Sequence, residues 1–159
     1  MKKQLLTLCL LIGSLCFMST SLASQELSEK EIELLENAHQ ARKNAYAPYS
    51  QYFVGSSLST KEGKTFSGHN IENASYGLSM CAERTAIFNA ITHGHQDIDT
   101  MVVVTKDGGM PCGACRQVMS EFNPNMQIIV ANEDNTQISK VTLSDILPSS
   151  FGPDNLESP

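Results

Sequence analysis

Two short cysteine segments, separated by one helix and one strand, constrain everything else in the chain. The first reads Ser79-Met80-Cys81-Ala82-Glu83-Arg84 and the second Met110-Pro111-Cys112-Gly113-Ala114-Cys115-Arg116. Between them, Ala82 to about His93 is helical in pattern, with Ala86, Ile87, Ala90 and Ile91 on one face. That helix advances the chain by ~18 Å. After a turn at Gly94, the apolar run from Thr100 to Thr105 reads as a buried strand and returns it by ~20 Å. The two lengths nearly match, so the spacing brings Cys112 back beside Cys81.

Pro111 suits the first turn of a second helix, where its missing N–H costs nothing and its fixed φ fits. Cys112 and Cys115, three apart, then share a face of that turn. Both cysteine segments sit at helix N-termini, where the positive end of the helix dipole favours thiolate over thiol. A Cys-x-x-Cys taken alone serves equally as a redox disulfide or as half of a structural zinc site. A third cysteine at this separation, with Glu83 two residues further on, points instead to catalytic zinc. Three protein ligands leave the fourth position open, as catalytic sites require. Cys-x-Glu followed by Pro-Cys-x-x-Cys is the three-cysteine form of the zinc-deaminase signature, in which the glutamate is acid and base, not ligand.

From about Ala41 to Leu156 the chain resembles the small, homotetrameric type of cytidine deaminase. The resemblance is carried by Tyr46-Ala-Pro-Tyr-Ser50, Val54-Gly55, Gly68-His-Asn-Ile-Glu-Asn-Ala-Ser-Tyr76, Cys81-Ala-Glu-Arg84, Pro111-Cys-Gly-Ala-Cys-Arg-Gln117 and Leu147-Pro-Ser-Ser-Phe151. It implies one zinc ion per subunit on Cys81, Cys112 and Cys115, and hydrolysis of cytidine or deoxycytidine to the uracil nucleoside and ammonia. Hydroxide activated by the metal attacks C4, while Glu83 carries protons from the water to N3 and to the leaving amine.

Further roles follow from the resemblance alone. Arg84 and Arg116 are expected to hydrogen-bond the ligand sulfurs and offset the excess negative charge of three thiolates. Asn70 and Glu72, two apart and so on one face of an extended segment, are expected to hold the sugar. Tyr52 is expected against the base, Ala82 among the substrate-binding residues, and Phe151, with Tyr76, to complete the pocket of a neighbouring subunit in a tetramer. Tyr52 departs from the family, which usually carries phenylalanine there; its hydroxyl needs a partner.

The segment 1–23 reads as a secretory signal. Lys2 and Lys3 precede the apolar run Leu5 to Phe17, and Ser21-Leu22-Ala23 offers small residues for cleavage. The run is short for a membrane span, which needs ~20 apolar residues. Cleavage after Ala23 predicts an extracytoplasmic protein with no stable membrane association, its deaminase domain spanning 24–159; translation from Met18 would instead leave it cytoplasmic. Removal of Cys9 and Cys16 leaves only the three cysteines of the site, and none for a disulfide framework. Without Lys2 and Lys3, nine basic side chains face 17 acidic ones, a formal charge near −8. That balance opposes binding to a nucleic acid polymer and suits a free pyrimidine nucleoside.

The remaining elements fill one domain of 159 residues at most. Ser28-Glu-Lys-Glu31 fits a capping box opening a helix to about Ala45. Tyr52 to Thr60 and Thr65 to Ile71 read as a hairpin turning at Gly63. A helix from Cys112 to Phe122, strands at Gln127 to Ala131 and near Ile138 to Leu143, and a short helix before Pro148 follow. This order predicts a three-layer α/β/α fold with a mixed five-stranded sheet, as the cytidine-deaminase resemblance also implies. Other readings of the same residues are deamination of another cytosine-containing nucleoside analogue, or a non-catalytic extracytoplasmic zinc or redox module. Glu83 separates the last from the enzyme, because structural zinc has no use for an acid there.

Overall fold

The computed structural model describes residues 26–156. The expected signal segment and its cleavage point after Ala23 lie outside the described residues. Helix α1 spans Glu29–Arg42, opened by the expected box in which the Ser28 amide donates to Glu31 and the Ser28 hydroxyl accepts from the Glu31 amide. It stops three residues short of the expected end. Asn44 and Ala45 continue instead as i→i+3 turns onto Ala41 and Arg42, and Tyr46 leaves the helix to bridge the Ile71 segment, its amide donating to the Asn70 carbonyl at 3.0 Å.

Strands β1 (Gly55–Thr60) and β2 (Thr65–His69) form the hairpin, with Gly63 at φ 84° in the turn. Both are shorter than the sequence pattern predicts. The reason is Asn70, whose side-chain oxygen accepts from the Val54 amide at 2.9 Å and so replaces the backbone partner the ladder would need. Helix α2 (Ala82–Thr92), strand β3 (Ile98–Thr105), helix α3 (Gly113–Phe122), strands β4 (Gln127–Asn132) and β5 (Ile138–Thr142) and helix α4 (Leu143–Ile146) complete the chain order. The sheet runs β2-β1-β3-β4-β5, with β3 and β4 parallel and the other pairs antiparallel. It is therefore mixed and five-stranded, as expected.

Alternation along β3 divides the core between two layers. Val102 and Val104 face α1, where Leu34, Leu35 and Ala38 are buried with Ile129 and Ala131 of β4. Met101 and Val103 face the opposite side, packed with Ala86, Ile87 and Ala90 of α2 and Met119 of α3. Two glycines permit this close stacking. A Cβ on Gly55 would lie 2.0 Å from the Ala38 carbonyl oxygen of α1, and one on Gly68 would lie 2.3 Å from the Ala86 nitrogen of α2. Pro111 corrects an expectation: it precedes Cys112, the N-cap of α3, and so stands outside the helix, not in its first turn. Among the described residues no helix is long and apolar enough to cross a membrane.

Candidate active site

Helices α2 and α3 bring their N-terminal ends together, and each has a cysteine at its N-cap position: Cys81 precedes α2 and Cys112 precedes α3. Cys115 lies in the first turn of α3 and is fully buried. Their sulfurs gather closely, with Cys81 Sγ 4.0 Å from Cys112 Sγ and Cys112 Sγ 3.5 Å from Cys115 Sγ. Tetrahedral zinc with sulfur at ~2.3 Å would set its thiolates about 3.8 Å apart, so this donor set fits the metal in kind and in spacing. The hydrogen bond from Cys115 brings the Cys81 thiol down to about 5, against the effect of burial and helped by Arg84. Cys115, as the donor in that pair and as a buried group, is pushed up.

Glu83 sits in the first turn of α2, only 4% exposed, and lines the same cavity as Cys81 and Cys112. Burial raises its pKa above the usual carboxylate range, and the neighbouring Cys81 charge adds to the shift. Such a carboxyl can hold and release a proton nearer neutrality.

The two arginines behave differently. Arg84 Nη2 donates to Cys81 Sγ at 3.5 Å, and that contact raises the arginine's own pKa. Arg116, expected at the sulfurs as well, turns to main chain instead: Nε donates to the Pro111 carbonyl at 2.7 Å and Nη1 to the Ile146 carbonyl at 2.9 Å. It ties the second cysteine segment to the end of α4. On a helix, neighbouring residues diverge by about 100°, so adjacency to Cys115 did not fix where Arg116 points.

The cavity beside the sulfurs measures ≈ 340 Å³ and is lined by Tyr52, Asn70, Glu72, Ala82 and Glu83 among others. The structure thus brings these expected residues together. Asn70 and Glu72 lie beyond the end of β2 but stay aligned through backbone bonds from Ile71 to Met80 and from Glu72 to Tyr46. Both also brace their own chain. Asn70 Nδ2 donates to the Tyr52 carbonyl at 2.8 Å, and the Glu72 carboxylate accepts from the Tyr49 amide at 2.9 Å, the Ser50 amide at 3.2 Å and the Ser50 hydroxyl. The Ser50 bond leads in holding the Glu72 carboxyl below the usual range.

Phe151 is not among the residues lining this cavity; it is 59% exposed, its carbonyl accepting from Gln117 Nε2 at 2.8 Å. Tyr76 is 74% exposed and its ring lies 5.8 Å from that of Tyr49, over an adjoining cavity lined also by Glu72. Sequence reasoning missed Asp107, which accepts from the Tyr52 hydroxyl at 2.5 Å. Its only sequence signal is the turn dipeptide Asp107-Gly108 after a strand.

Residues 28–131 match the family model described as the cytidine and deoxycytidylate deaminase zinc-binding region. The chain is 47% identical over 120 residues to a cytidine deaminase of Halalkalibacterium halodurans, covering 74% of this chain and 91% of the relative. To a cytidine deaminase of Sporosarcina psychrophila it is 39% identical over 127 residues, 78% of this chain and 93% of the other. The crystal structure of cytidine deaminase from Burkholderia pseudomallei superposes with a TM-score of 0.73 at 42% identity, covering 79% of this chain and all of that one.

Proposed function

The chain belongs to the cytidine and deoxycytidylate deaminase zinc-binding family, and from that premise we infer that it converts cytidine or deoxycytidine with water to the uracil nucleoside and ammonia. One observation carries the reading: a buried glutamic acid opens onto the same cavity as the cysteine cluster. Zinc held by Cys81, Cys112 and Cys115 supplies a Lewis acid that makes water nucleophilic near neutral pH.

The chain's own residues do the rest. Glu83 takes a proton from the attacking water and delivers it to N3 of the ring, then moves a second proton to the amine that leaves C4. Its raised pKa suits both directions of transfer. Arg84 draws negative charge from Cys81 and so keeps the ligand set from neutralising the metal's acidity. Glu72 and Asn70 face the sugar, and Tyr52 and Ala82 the base. Among the described residues no lysine or arginine lines the cavity, which disfavours a substrate phosphate.

Two further properties complete the proposal. The exposed Phe151, Tyr76 and Leu78 support a closed assembly of four chains in which Phe151 reaches a neighbour's pocket; light scattering of an active monomer would refute it. Lys2, Lys3 and the apolar run to Phe17 support export with cleavage after Ala23, which the intact mass of protein from its native host tests directly.

Loss of cytidine absorbance on adding zinc-loaded protein tests the activity. A strong chelator should abolish the loss and added zinc restore it. An unchanged nucleoside spectrum with the metal bound would end the deaminase reading.

A further inference from the structure

Tyr52 is anchored at both ends. At the main chain its amide donates to the Ser50 hydroxyl at 3.0 Å and its carbonyl accepts from Asn70 Nδ2 at 2.8 Å. At the tip its hydroxyl donates to Asp107 Oδ1 at 2.5 Å. Asp107 belongs to the short loop from β3 to Cys112, and that loop is itself fixed. Asp107 forms a backbone bridge with Asn132 at the end of β4, and the Gly109 amide donates to Thr105 Oγ1 at 2.8 Å. Gly109 also makes room, since a Cβ there would stand 2.7 Å from the Tyr52 hydroxyl.

The half-buried phenol closes one wall of the substrate cavity, with Thr105 and Gly109 beside it. Without Asp107 its hydroxyl would be left short of a partner and the ring would be free to swing toward water through the cavity. We propose that Asp107 is a positioning residue: by holding the Tyr52 hydroxyl it fixes the aromatic wall that receives the substrate base, and it joins that wall to the loop leading to Cys112. The proposal rests on the deaminase reading for its substrate, but not for the existence of the pair. Burial and then Asp107 raise the Tyr52 pKa, while the bond from Tyr52 lowers that of Asp107, so the proton stays on the phenol and the charge on the carboxylate.

The test is a double-mutant cycle on the full chain with Asp107→Ala, Tyr52→Phe and their combination, read in steady-state kinetics with cytidine and in the unfolding equilibrium. Asp107→Ala in the native background should raise KM about fivefold with a smaller effect on kcat, and should shift the unfolding constant at least about threefold. In the Tyr52→Phe background the same substitution should leave KM unchanged and keep only a smaller shift in the unfolding constant, that of the Thr105 hydroxyl, which also donates to Asp107 Oδ1 at 3.3 Å. Gly109→Ala should raise KM in the native background and be relieved by Tyr52→Phe. Equal effects of Asp107→Ala in both backgrounds would overturn the proposal, since Asp107 would then act through its loop alone; so would no effect on KM. If the native protein leaves cytidine unchanged, the deaminase reading falls, and the unfolding cycle still decides whether the pair exists.

Discussion

Gly68 of β2 lies against the backbone of α2 so closely that a Cβ on it would sit 2.3 Å from the Ala86 nitrogen and 2.6 Å from the Ala82 carbonyl oxygen. Neither atom belongs to a side chain that can move aside. Because Ala82 opens the turn that carries Glu83 and follows Cys81, this contact sets how far the helix end stands from the sheet. Gly68→Ala should destabilise the fold by about 2 kcal/mol and weaken zinc retention. Gly77→Ala, with nothing within 4 Å of its Cβ, should leave the unfolding midpoint unchanged. Thermal melts with metal analysis compare the two.

Glu83→Gln should keep zinc and fold while lowering kcat by about 10²- to 10⁴-fold. The amide fills nearly the same buried volume but cannot accept and return a proton. Metal content by mass spectrometry and nucleoside binding by calorimetry check that only turnover is lost. Near-native turnover in this variant would remove Glu83 from the mechanism.

Arg84 and Arg116 should separate into two phenotypes. Arg84→Gln removes the donor at Cys81 Sγ, so zinc affinity should fall about 10- to 100-fold, measured by competition with a chelator. Arg116→Ala removes two bonds to main-chain carbonyls and should cost about 2 kcal/mol of stability with a smaller effect on affinity. Matching phenotypes would contradict the two different geometries.

Metal removal should expose the chemistry of the donor set. In protein beginning at Ser24, chelation followed by mild oxidation should yield a Cys112–Cys115 disulfide, whose sulfurs already lie 3.5 Å apart. Zinc-loaded protein under the same oxidant should keep three reduced cysteines. Peptide mapping under non-reducing conditions distinguishes the products, and reductant with zinc should restore activity to the oxidised sample.

Much of this site was legible because it depends on spacing within one αβα stretch. The return of Cys112 to Cys81 follows from the lengths of one helix and one strand, and the candidacy of Glu83 as the acid from its place two residues after Cys81. What stayed hidden depends on side chains that reach across the fold. Tyr52 meets Asp107 over 55 positions of sequence, and no periodicity announces such a pair. The strand ends were misplaced because Asn70 substitutes its own amide for a backbone partner. Arg116 was misdirected because the carbonyl that claims it, that of Ile146, comes from a different element.

The grouping of tyrosines around the cavity has an optical consequence. The chain has no tryptophan and four tyrosines. Tyr52 lines the cavity beside the sulfurs, Tyr49 and Tyr76 line the one adjoining it, and Tyr46 pairs with the Ile71 segment next to them. With excitation at tyrosine wavelengths, its emission therefore originates in and around the site, with no distant indole to mask it. Entry of a nucleoside can be followed as quenching of the unlabelled protein, and a Tyr52→Phe variant assigns the share that comes from the wall itself.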